Sequence, residues 1–161
     1  MNTGKIAKTG MLLAISLVLS YLEMLLPVTI AVPGVKIGLG NIITMFLLYR
    51  TDLKSTFMFV CVRVVLAGIL FSGISGIIYS LAGGMACVLV MSVLKRFSFF
   101  SVLGVSMAGA IAHNVGQIVV AVIVMENIHI AYYLPVLCIS GVISGLLVGY
   151  LAFVIMKRYR D

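Results

Sequence analysis

Six runs of apolar residues, separated by short polar or basic segments, organise this sequence. They extend over about Ile6 to Leu26, Ile37 to Tyr49, Ser55 to Phe71, Ile74 to Leu94, Val102 to Met125 and Tyr132 to Met156. A helix crossing the hydrocarbon core of a bilayer needs about 20 residues, with about 17 as the lower end. Five of the runs meet that length. The second does not, so it either extends into Val32–Lys36 or sits shielded by its neighbours. Pro27 and Pro33 frame an apolar loop that precedes it. The pattern predicts an all-α polytopic membrane protein of six transmembrane helices, with residues 1–161 forming a single transmembrane domain. The basic start followed by an apolar stretch has no small-x-small cleavage site before a polar region, and reads as a retained first helix.

Composition strengthens this reading. The chain is 63% hydrophobic and 9% charged, against about 45–50% and about 25% in ordinary soluble domains. The net charge of +7 is less informative than where the charge falls. Lys5/Lys8, Arg50/Lys54, Lys95/Arg96 and Lys157/Arg158/Arg160 flank the runs, after every second one. The alternate connections, Pro27–Lys36, Ser72–Ser75 and Glu126–Ala131, hold only Lys36 as a cation. By the positive-inside rule both termini lie in the cytoplasm, and the protein sits in the cell (plasma) membrane. No contiguous basic face exists away from the membrane, so nucleic acid is not an expected partner. Cys61, Cys87 and Cys138 each lie inside an apolar run at no metal or disulfide spacing, and read as small buried hydrophobes.

The polar residues inside the runs carry the functional content. Arg63 lies half-way along the third run, where a central arginine costs about 2.5–3.5 kcal/mol. It must face inward and find an acceptor. Glu23 by reach, oxygens around Asn114 and Gln117, or an anionic ligand are the candidates. In the fifth run His113 and Gln117 are one helical turn apart and share a face. Asn114 points about 100° away from His113, which lets the pair address two neighbouring helices. These groups either fix the fold or line a binding space. Pro33-Gly-Val-Lys-Ile-Gly-Leu-Gly-Asn41 opens the second run from the outer side. Lys36 and Asn41 there suit the mouth of a pocket, since helix N-termini attract anions. His113 has no second ligand at metal spacing, so no metal site is expected.

Small residues recur at four-residue spacing: Gly10/Ala14, Gly76/Ser80/Gly84, Gly104/Ala108, Ala112/Gly116 and Gly141/Gly145/Gly149. Such spacing serves close helix packing, either within the protein or against another membrane protein. Gly10/Ala14, near the cytoplasmic end of the first helix, is the candidate docking pair. There is no phosphate-binding GxxxxGK[ST] loop, no aspartate-rich pair for a magnesium diphosphate and no nucleophile set, so catalysis by the isolated chain is not expected.

The stretches PGVKIGLGNIITMFLLY (33–49), Arg63-Val-Val-Leu-Ala-Gly, Tyr79-Ser-Leu-Ala-Gly-Gly84, Ala112-His-Asn-Val-Gly-Gln117 and Tyr132-Tyr-Leu-Pro-Val-Leu137 resemble, in order, those of the Gx transporter family. That family is also labelled heptaprenyl diphosphate synthase component I. The resemblance implies a bundle like the S components of energy-coupling-factor (ECF) transporters. It implies capture of a small molecule from outside, and partnership with a transmembrane coupling subunit and cytoplasmic ATPases. An alanine-xxx-alanine docking motif is common on the first helix of such components, and Gly10-xxx-Ala14 is the nearest match here. Flavin- and quinone- or isoprenoid-related metabolites are the substrate classes brought forward by the likeness. The other role open is a non-catalytic membrane accessory subunit in isoprenoid or quinone metabolism or in flavin-based electron transfer. The site expected from residues and resemblance together comprises Arg63, His113, Asn114, Gln117, Asn41, Lys36 and Glu23, with membrane lipid around it and no cofactor.

Overall fold

A computed structural model describes residues 3–26 and 36–159. These residues form α1 (Thr3–Met24), α2 (Asn41–Arg50), α3 (Leu53–Ala67), α4 (Gly73–Leu94), α5 (Val102–Met125) and α6 (Leu134–Arg158). A five-residue π-helical turn, Gly68–Ser72, joins α3 to α4, and a 3₁₀ turn, Ile128–Tyr133, precedes α6. The fold class is all-helical among the described residues.

Local sequence sets the starts. Asp52 stays extended and its carboxylate accepts from Ser55 N at 2.9 Å, capping α3. Ser101 does the same for α5, accepting from Gly104 N at 3.1 Å. Pro135 falls in the first turn of α6, where its missing N–H costs nothing.

Four helical stretches are long and apolar enough to cross a membrane: Ile6–Met24, Leu53–Leu94, Val102–Met125 and Ile128–Arg158. The 42-residue stretch is two antiparallel arms, not one rod. Gly73 takes φ +74° and ψ 179°, a conformation that only glycine adopts readily, and reverses the chain there. Across the turn, Gly68 packs against Ile77 and Gly84 against Val60 and Val64. The outer surface of the long helices is apolar: Val18, Ile69, Ile74, Ile123 and Ile143 are all exposed. An exterior of this kind is at home in hydrocarbon rather than water. The chain is a multi-pass membrane protein.

The described residues do not form six membrane-spanning helices. Five helical arms are long, and the second run condenses into the ten residues of α2. At about 1.5 Å per residue that helix is about 15 Å long, half the hydrocarbon thickness. It survives at depth because protein surrounds it: Ile42, Ile43, Thr44, Met45, Leu47 and Leu48 are buried. Thus the shielding alternative holds for α2. The extension into residues 32–35, like the loop expected over 27–35, lies outside the described residues.

Three of the basic segments, at Arg50, Lys95 and Lys157/Arg158, gather at one end of the bundle. Arg50 Nη2 donates to Met156 O at 3.1 Å, and Lys95 Nζ donates to Leu48 O and lies 5.1 Å from the Tyr49 ring centre. The neighbouring segment carries exposed Phe97, Phe99 and Phe100, aromatic residues of the kind enriched at a membrane–water interface.

The glycine stripe of α6 is internal. A Cβ on Gly145 would lie 2.7 Å from Met107 Cα, and one on Gly149 would lie 3.1 Å from Leu103 Cα. The two backbones touch, which is what packing without a hydrophobic drive requires. Gly145→Val therefore forces α5 and α6 apart. We expect a loss of about 1–3 kcal/mol, the range of overpacked cores, read as a lower midpoint in thermal or denaturant unfolding of the detergent-solubilised protein.

Candidate functional site

Beyond Thr9 the first helix supplies a polar stripe on a largely apolar rod. Ser16, Ser20 and Glu23 recur at intervals of four and three residues and so share one face. Each is used. Ser16 Oγ donates to Gly40 O at 3.0 Å, and Ser20 Oγ donates to Ser16 O at 3.0 Å. Glu23 is buried; its two carboxylate oxygens accept from Gly38 N at 2.6 Å and Leu39 N at 2.9 Å. A buried carboxylate is tolerated only with such charge-assisted bonds. Glu23 thereby fixes the turn in which Gly38 has φ +79° and from which α2 starts.

Arg63 reaches this turn from α3. Its Nη2 donates to Asn41 Oδ1 at 2.8 Å. Neither protein acceptor expected from the sequence takes that bond: Glu23 is committed to backbone amides, and Asn114 and Gln117 lie on another helix. The approach depends on Gly40, where a Cβ would stand 2.5 Å from Arg63 Nη1 and 2.6 Å from Ser20 Oγ. Arg63 is 8% exposed, and its Nε has no hydrogen-bond partner among the described residues. Among the described residues this buried guanidinium makes one hydrogen bond, to a neutral amide, and is incompletely satisfied.

The α5 cluster divides between two neighbours. Asn114 Nδ2 donates to Leu137 O on α6 at 2.6 Å, which leaves its Oδ1 as an acceptor. His113 and Gln117 pack against Gly83 of α4, where a Cβ would lie 2.8 Å from His113 O and 2.9 Å from Gln117 Cγ. His113 Nδ1 is buried and has no partner among the described residues.

A cavity of about 210 Å³ runs between these groups. Glu23, Arg63 and Asn41 line it from one side, His113, Asn114 and Gln117 from α5, and Lys36 also borders it. All seven sequence-predicted binding residues therefore lie around one space. Its apolar wall was not anticipated: Met45, Met91 and Cys87 are buried in it, and Phe71 reaches it from the π-helical turn. Ser16 and Ser20 were also missed, although their spacing with Glu23 was visible as a polar stripe. Cys61, Cys87 and Cys138 are free thiols, Cys87 buried and the other two half-buried.

The candidate docking pair lies elsewhere. Gly10 and Ala14 are exposed on α1, and none of the described residues stands within 4 Å of a Cβ built on Gly10. Their face of α1 is uncovered, unlike the buried stripe of α6.

The family profile described as heptaprenyl diphosphate synthase component I matches residues 12–155. No curated protein and no solved structure matches the chain.

Proposed function

The chain belongs to the heptaprenyl diphosphate synthase component I family, and from that premise we propose that it is the substrate-capturing membrane subunit of an ECF-type importer. Its cargo is a small anionic or amphipathic metabolite, and the chain itself is not an enzyme. The observation that carries this reading is Arg63: a buried cation whose one hydrogen-bond partner among the described residues is neutral, beside a cavity also bordered by His113, Asn114 and Gln117. A polar interior of this kind in a membrane protein is retained for function more readily than for stability. In the cell membrane, the basic end of the bundle faces the cytoplasm with both termini, and the Lys36 side faces out. The exposed Gly10/Ala14 face of α1 serves the transmembrane coupling subunit, which works with two cytoplasmic ATPases.

The family description favours a second reading, a non-catalytic accessory subunit in isoprenoid or quinone metabolism. Synthase chemistry in this chain is unsupported, because its four acidic residues are scattered. Affinity purification of the tagged full chain from its own membranes separates the two. We expect a transmembrane coupling subunit and a pair of ATPases to co-purify, and to be lost with Gly10→Leu/Ala14→Leu. Recovery of prenyl-transfer or redox enzymes without an ATPase supports the accessory role instead.

A further inference from the structure

The cavity restricts its own cargo. Resting on the capture reading above, we infer that the ligand is a compact aromatic or heteroaromatic monocarboxylate, not an intact flavin nucleotide or a tailed quinone.

Size comes first. The space of about 210 Å³ is below the roughly 300–1,000 Å³ of clefts that enclose drug-sized ligands. One substituted ring system fits. A tricyclic flavin with a phosphorylated side chain does not, nor does a quinone with an isoprenoid tail.

Charge comes second. Arg63 and Lys36 border the cavity as cations, and Glu23 is the carboxylate among the described lining residues. Both Glu23 oxygens are occupied by Gly38 and Leu39 N–H groups. That leaves one net positive charge, with Arg63 the buried one. A monoanion neutralises it, and a dianion overshoots. The planar guanidinium pairs best with a planar carboxylate.

The walls give the body of the ligand. Met45, Met91 and Cys87 present soft, polarisable sulfur, and Phe71 adds a ring. Sulfur and ring contacts favour aromatic guests. On α5, neither the Asn114 Oδ1 nor the Gln117 amide makes a hydrogen bond among the described residues. These groups suit one hydrogen-bonding substituent on the ring, away from the carboxylate.

Calorimetric titration of the purified full chain in detergent tests this with para-hydroxybenzoate, para-hydroxybenzamide, terephthalate, flavin mononucleotide and a short-tailed menaquinone. We expect para-hydroxybenzoate to bind at least about 30-fold more tightly than its amide, the effect of leaving a buried charge unpaired, and to outbind terephthalate. Arg63→Gln should erase the acid-over-amide preference. Ser144→Leu, which fills the cavity from α6, should weaken para-hydroxybenzoate while leaving Arg63 intact, and covers the case in which the Arg63 variant fails to fold. Arg63-dependent binding of the flavin or the quinone would overturn the size and charge assignment and leave the capture reading standing. Equal binding of acid and amide also overturns it. If no probe binds, and native mass spectra of the purified protein show only lipid in its interior, both the assignment and the capture reading fail.

Discussion

Arg63→Met leaves the protein folded and weakens capture of an anionic ligand roughly 30-fold or more. The two halves of this result have different origins. Replacing a buried ion by an apolar side chain of similar volume is often neutral or stabilising, by about 1–4 kcal/mol. Here the exchange also strands Asn41 Oδ1, at about 1–3 kcal/mol for an unsatisfied buried acceptor. The opposing effects leave stability within about 2 kcal/mol of the parent. Binding has no such compensation. Loss of the cation facing a buried anion costs about 2–5 kcal/mol, roughly 30-fold or more in affinity. Denaturant unfolding together with ligand titration of the same preparation checks both halves. A collapse in stability with unchanged affinity in the folded fraction would make Arg63 a scaffold residue.

Glu23→Gln gives the opposite profile, a loss of stability. The carboxylate accepts from two consecutive backbone N–H groups. A glutamine offers one oxygen and sets its NH₂ against the other donor. Hydrogen bonds to charged groups are worth about 1.5–3 kcal/mol each, so the variant should lose on the order of 2–4 kcal/mol. The damage is local at first. Hydrogen exchange should speed up at the Gly38 and Leu39 amides before it does so in α5 or α6, and Glu23→Asp, one methylene shorter, should fail to restore protection. Uniform loss of protection across the bundle would mean that Glu23 holds more than this turn.

The membrane class and the longer helices were legible because lipid exposure demands continuous apolar length. Val102–Met125 was delimited by residue patterning alone, since Ser101 caps its start and polar Glu126 ends it at φ +49°. The site residues were legible for the complementary reason: a charge or amide in such a run must point inward. What could not be read was pairing. Arg63 had several acceptors within conceivable reach, and the choice of Asn41 follows from the close approach at Gly40, a three-dimensional event. The shortness of α2 was visible and left two readings, extension or shielding; the choice between them was not legible, because an apolar run looks the same facing lipid or facing protein. The cavity wall of Met45, Met91 and Cys87 was hidden for the same reason.

The Glu23 clamp has a mechanical side. Through it, and through Ser16 on Gly40, α1 is tied to the four-residue turn that presents Asn41. Asn41 in turn holds the guanidinium from α3. Sideways or axial travel of α1 must drag that turn along or tear both carboxylate bonds. Whatever pushes on the bare outer flank of the first helix therefore tugs on the cation inside, and by reciprocity a guest seated on that cation resists the push.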